Sequence, residues 1–96
     1  MLNSKQRAHL RSLANTEHPL IQVGKAGVVD TLIKQVDDAL TARELIKIRV
    51  LPNSGQERDL IADQLAQAVK AEIVQKIGNN FVLWRRNLRE PKILLP

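Results

Sequence analysis

PLIQVGKAGVVD, residues 19–30, joins a short apolar run to an amphipathic one through two glycines three apart, with a lysine between them. Leu20 to Val23 is β-branched and bounded by Pro19 and Gly24, the pattern of a short buried strand. After the glycines, Leu32, Ile33, Val36, Ala39 and Leu40 recur at the helical period, with Lys34, Asp37, Asp38 and Thr41 opposite. That spacing predicts a helix from about Asp30 to Arg43. Strand, glycine turn and helix in this order point to an α/β fold.

The flanking sequence extends the pattern. From Ser4 to Asn15, Leu10, Leu13 and Ala14 share one helical face, Ser4 is placed to cap the start and Pro19 follows the end. Leu45 to Val50 alternates, with Ile46, Ile48 and Val50 on one face and Lys47 and Arg49 on the other, so the second face of this strand is basic. Pro52-Asn53-Ser54-Gly55 is a turn, and Ser54 with Glu57 reads as a capping box. The helix it opens has Ile61, Leu65, Ala68 and Val69 as its apolar side and carries the acidic residues Glu57, Asp59 and Asp63. Ala71 to Ile77 and Phe81 to Arg86, separated by Gly78-Asn79-Asn80, suit a hairpin. Pro91 to Pro96 is a tail expected to dock on its own domain. The expected fold is a single-domain α/β sandwich over residues 1–96, in the order α-β-α-β-α-β-β, with a mixed four-stranded sheet.

Composition narrows the chemistry. The 96 residues contain no cysteine, which excludes a disulfide framework, a thiolate zinc site and a cysteine nucleophile. Fifteen Lys+Arg against ten Asp+Glu give a net charge of +5, which makes a polyanion such as nucleic acid the natural partner class. No apolar run is long enough to span a membrane, and the first residues carry Lys5, Arg7 and Arg11 in place of a secretory block, so the expected location is the cytoplasm.

The glycine pair is not a nucleotide-binding motif. A Walker A loop needs glycine where Pro19 stands and Ser or Thr where Ala26 stands, and the dinucleotide fingerprint fails at Gln22. What remains is a Gly-x-x-Gly loop, Gly24-Lys25-Ala26-Gly27. Such a loop lets backbone amides approach a sugar-phosphate chain without Cβ obstruction, as in KH-type RNA binders. Lys25 adds a positive charge, and Asp30 in the first turn of the next helix opposes phosphate binding there. The bland alternative is a tight turn whose glycines only supply positive φ.

His9 and His18 lack the spacing of a metal pair, and Asp37 and Asp38 point in different directions from a solvated helix face. No catalytic constellation, metal site or cofactor site is expected, and the chain reads as a non-enzyme. Phe81 and Trp84 are the only aromatic residues, too few for a base-stacking platform, and Trp84 is expected in the core. Arg85, Arg86, Arg89 and Lys92 form either a backbone-tracking cluster or a solvated face.

Taken together these residues resemble the YhbY family, the stand-alone bacterial form of the CRM domain, named for chloroplast RNA splicing and ribosome maturation. The resemblance rests on Gln6-Arg7, Leu10-Arg11 and Leu13-Ala14, on Pro19, Ile21, Val23 and Gly24-Lys25-x-Gly27, on Ala39-Leu40 and Glu44-Leu45-Ile46-Lys47, and on Gly78 with Val82-Leu83-Trp84-Arg85. It implies a fold similar to the C-terminal domain of translation initiation factor 3, RNA binding with the Gly-x-x-Gly loop on the contact surface, and association with large ribosomal subunit precursors. The residues expected to bind RNA are Gly24, Lys25, Ala26 and Gly27 as the clamp, Lys5, Arg11, Arg85 and Arg86 as phosphate contacts, and Lys47 as a further candidate. The alternative is a protein-interaction adaptor on ribosomal particles, using the first helix or the tail. Three positions depart from the family pattern: Val29 where a capping Thr or Ser is common, Asn79 where a basic residue is common, and Trp84 where Tyr is common.

Overall fold

Asn3, not Ser4, starts the first helix. In the computed structural model, which describes residues 2–96, the Asn3 side chain accepts the Gln6 N–H at 2.8 Å and the Gln6 side chain accepts the Asn3 N–H at 3.1 Å. This reciprocal box satisfies two donors that a helix start otherwise leaves open, and it places α1 at Ser4–Ala14. The chain continues through β1 (Ile21–Val23), α2 (Asp30–Arg43), β2 (Leu45–Val50), α3 (Arg58–Val69), β3 (Glu72–Ile77) and β4 (Asn80–Trp84), the expected order. The sheet runs β1-β2-β4-β3 and is mixed: β1 and β2 are parallel, while β4 is antiparallel to both of its neighbours.

The expected capping box at Ser54 is not formed. Pro52–Ser54 is a 3₁₀ turn closed by Gly55 in the left-handed conformation, and the Ser54 hydroxyl donates to the Gln56 carbonyl. Pro52, with φ already fixed, favours that tight turn, and α3 begins only at Arg58 with Glu57 making no side-chain cap bond. The buried side of α3 is also rotated from the expected one. Ala62 and Ala66 join Ile61, Leu65 and Val69 inside, whereas Ala68 is exposed. The last strand ends one residue before Arg85, and the hairpin turn shortens to Gly78-Asn79 because Asn80 already pairs with Ile77.

Two apolar clusters share the sheet. The larger lies under α2 and α3 and centres on Phe81, Ile48, Leu83, Ile61, Leu65, Val36 and Leu40, all fully buried. The smaller lies under α1 and the tail and gathers Leu2, Leu10, Ala14, Leu45, Val74 and Val82, with Trp84, Ile93 and Leu95 packed against it. Because α1 covers the back of β4, Phe81, Val82 and Leu83 are all buried in place of alternating. Trp84 is half-buried, packed against the smaller cluster and not inside the core as expected, because it closes the end of β4; its Nε1 is buried with no hydrogen-bond partner among the described residues.

The tail docks through a residue the sequence did not single out as structural. Glu44 ends α2 at φ 67, its backbone N–H bonded to Leu40, and its side chain is fully buried. The carboxylate accepts the backbone N–H groups of Asn87, Lys92 and Ile93 at 2.6, 2.6 and 2.7 Å. Burial alone pushes this acid upward, but the three N–H donors and the Arg86 charge outweigh it and hold the pKa below its ordinary 4.5.

Candidate nucleic-acid interface

Gly24 to Gly27 form a β-turn closed by the Gly27 N–H to the Gly24 carbonyl at 3.0 Å. Lys25 and Ala26 take its two corners and are exposed. Gly27 sits at φ +69, which a side chain resists, while Gly24 has ordinary backbone geometry. The bland reading is therefore half true: one glycine is needed for the turn and the other is not. The N–H groups of Lys25 and Ala26 have no partner within the described residues. Two open donors and an ammonium group at one tip form an anion-binding feature. Val29 provides no side-chain cap for α2, in keeping with its departure from the family pattern.

The turn stands at one end of the sheet. A Cβ on Gly24 would meet Leu51 Cδ1 at 3.7 Å and Asn53 Oδ1 at 3.9 Å, and one on Gly27 would meet Gln56 Oε1 at 3.9 Å, so residues 51–56 line its flank. The Gly78-Asn79 turn lies at this same end, where the Val50 N–H donates to the Asn79 carbonyl.

Below these turns the sheet has an uncovered area on its α1 side. Leu2 donates to Glu72 and Arg7 to the Ile73 carbonyl at the start of α1, whereas Leu20 beyond its end donates to the Lys47 carbonyl. The helix thus crosses the strands and leaves open the row nearest the Gly24–Gly27 turn. The open row is Gln22, Arg49, Asn80 and Ile77, aligned across all four strands by register; in the next row α1 buries Val82, and Lys47 and Gln75 on either side of it stay half-exposed. Arg11 lies on the helix edge between Arg7, bonded to β3, and Asn15, which lines a cleft with Lys47, Gln75 and Asn80. Lys25, Arg11, Lys47 and Arg49 have no carboxylate partner among the described residues.

The other expected contacts lie elsewhere. Arg85 follows β4 at the opposite end, where its N–H bonds to the Glu44 carbonyl. The five steps of β2 between the two ends span roughly 17 Å. Its guanidinium reaches the Asp37 carboxylate at 2.6 Å, the Val69 carbonyl at 2.8 Å, the Asp37 carbonyl at 2.9 Å and the Thr41 hydroxyl at 3.0 Å. Arg85 is thus an internal clamp between α2, α3 and β4, and Asp37 is its counter-ion, not a freely solvated acid. Arg86 lies 5.5 Å from the Trp84 ring centroid at the same far end. Lys5 is exposed in the first turn of α1, close to the tail, where Gln6 donates to the Pro96 carbonyl at 3.4 Å. Arg49 was legible as part of a basic strand face but not as part of the site; only its register with Gln22 and Asn80 puts it there. Two acids of the α3 cluster have cations beside them: Asp59 binds Arg58 at 2.8 Å and Lys76 at 3.6 Å, Lys76 lies 3.9 Å from Asp63, and the Arg58 bond lowers the Asp59 pKa. Among the described residues no three of His, Asp and Glu gather as a metal site, and no helix is long and apolar enough to cross a membrane.

Comparison with known proteins finds relatives over the whole length of the chain. The Bacillus subtilis protein named "Probable RNA-binding protein YqeI" is 44% identical over 96 residues, covering 100% of both chains. A Haemophilus influenzae protein named "RNA-binding protein" is 34% identical over 95 residues, covering 99% of this chain and 95% of that one. A Staphylococcus aureus protein solved in solution shares 43% identity with a TM-score of 0.81, covering 100% of both chains. The sequence model of the CRS1 / YhbY (CRM) domain matches residues 2–85, and the chain belongs to that family.

Proposed function

We propose that this protein is a non-enzymatic RNA-binding protein that acts in the cytoplasm as an assembly factor on large ribosomal subunit precursors. The observation that carries the reading is the Gly24–Gly27 turn: two unpartnered N–H groups and Lys25 at its tip, beside sheet rows bearing Lys47 and Arg49. Backbone donors and cations of this kind recognise phosphates without regard to sequence. The relatives named as RNA-binding proteins support the partner class, and the family resemblance supports the ribosomal particle. Arg85 leaves the expected contact set because its donors are engaged internally, and Arg49 enters it.

Crosslinking in cells, with both the RNA and the crosslinked peptides mapped, tests the proposal. The expected result is crosslinks from peptides containing residues 22–27 and 47–49 to large-subunit ribosomal RNA. Absence of RNA crosslinks, or crosslinks confined to residues 85–96, overturns it. An adaptor role is favoured by Leu88 and Leu94, which are 87% and 90% exposed at the far end. It predicts that L88S/L94S abolishes particle association without weakening affinity for RNA.

A further inference from the structure

The open row of the sheet and the half-covered one beside it carry amides as well as cations, and no aromatic side chain. Gln22 and Asn80 flank Arg49 in one row, Gln75 follows Lys47 and Val82 in the next, and Asn15 closes the cleft beside them. None of these four amide side chains has a hydrogen-bond partner within the described residues. Asn3 and Gln6 are occupied as a cap and Asn87 at the tail, while Gln35, Gln64 and Gln67 are free among the described residues but scattered over the exposed faces of α2 and α3; the four here stand together beside Lys47 and Arg49. An amide offers a donor and an acceptor side by side, the pattern that pairs with a base edge and most favourably with adenine. Ile77, 55% exposed at the end of the Gln22 row, supplies an apolar contact for a base face.

We infer that Gln22 and Asn80, with Gln75 and Asn15, read the bases of a single-stranded RNA segment whose backbone is held by the Gly24–Gly27 turn and Arg49. This inference rests on the RNA-binding reading above and adds a sequence preference to it. A four-stranded sheet accommodates about two or three unstacked bases. Phe81 faces the opposite core and Trp84 lies at the far end, so recognition here runs through hydrogen bonds in place of stacking. Hydrogen-bonded readout discriminates between bases, whereas stacking accepts any of them.

The test compares binding of the full chain to equal-length oligo(A), oligo(C) and oligo(U) at one salt concentration. The wild type is expected to prefer oligo(A) by about tenfold or more. Gln22→Ala/Asn80→Ala should bring the three affinities within about twofold of each other, leaving the weakest wild-type affinity unchanged. Lys25→Ala should weaken all three alike and keep their ratio. A wild type that binds all three equally, or a double variant that retains the preference, overturns the inference and leaves RNA binding itself intact. No binding to any oligonucleotide overturns both. Gln22 is exposed, Asn80 is half-buried, and neither side chain makes an internal bond among the described residues; an unchanged thermal midpoint confirms that the double variant is folded.

Discussion

The Glu44 carboxylate accepts the backbone N–H of Ile93 at 2.7 Å, tying the C-terminal tail to the end of α2. With the N–H groups of Asn87 and Lys92 as further donors, the charged form is preferred despite burial. A carboxylate whose pKa is lower folded than unfolded adds stability above its unfolded value, and that stability is lost as pH falls through the folded value. The contribution is therefore complete at neutral pH and declines below about 4.5. Glu44→Gln turns an NH₂ group toward N–H donors and should cost roughly 2–3 kcal/mol at neutral pH. Thermal midpoints of the two proteins measured from pH 7 to pH 3 should converge as the acid is approached. A constant difference would show that the charge is not the source.

Arg85 makes the matching prediction for the α2–α3 side. Its side chain is 23% exposed and joins three elements through Asp37, Thr41 and Val69. Arg85→Ala leaves a carbonyl and a carboxylate without their donor, at about 2 kcal/mol, or roughly 10 °C in the midpoint of a domain this size. Affinity for RNA, measured where the variant is still folded, should stay within about twofold of wild type. A variant that melts normally but binds tenfold more weakly returns Arg85 to the contact surface.

These two residues also mark what the sequence could and could not disclose. Local signals sufficed where a segment decides its own shape: the apolar period of Leu32 to Leu40 and the alternation of Leu45 to Val50 correctly place α2 and β2. Ser54 misled because Pro52 and Gly55 build a 3₁₀ turn that uses its hydroxyl two residues on. Arg85 and Asp37 are 48 residues apart, and nothing near either announces the other. The same holds for the site. The Gly24–Gly27 turn is legible in four residues, but Gln22, Arg49 and Asn80 become neighbours only through strand register. Charge counting merged two basic regions that the sheet holds at opposite ends.

That separation has a measurable consequence in salt. The loop end offers four cations, Lys25, Arg11, Lys47 and Arg49, and four contacts to single-stranded RNA give a log-affinity slope against log salt of about −3. Lys25→Ala and Arg49→Ala should each flatten that slope by roughly 0.7, whereas Arg86→Ala at the far end should leave it unchanged. Binding titrations from about 50 to 200 mM salt decide the matter. If Arg86→Ala flattens the slope as Arg49→Ala does, RNA spans both ends and the assignment to the loop end alone is wrong.

The two glycines of the turn should separate folding from binding. Gly27 sits at φ +69, and an alanine there should cost about 1–2 kcal/mol of stability through backbone strain. Gly24 has no such constraint, and a Cβ there meets Leu51 and Asn53 only at ordinary contact distance. Gly24→Ala should accordingly melt within about 0.5 kcal/mol of wild type. The added methyl nevertheless narrows the space between the turn and Leu51 and Asn53, on the flank by which the proposed phosphate chain would reach the open N–H groups. Affinity for RNA should fall several-fold in Gly24→Ala at unchanged stability, and a bulkier Gly24→Val should deepen the loss. Undiminished binding in both Gly24 variants would show that the main chain of this turn does not lie against RNA, leaving Lys25 as a charge on a structural bend.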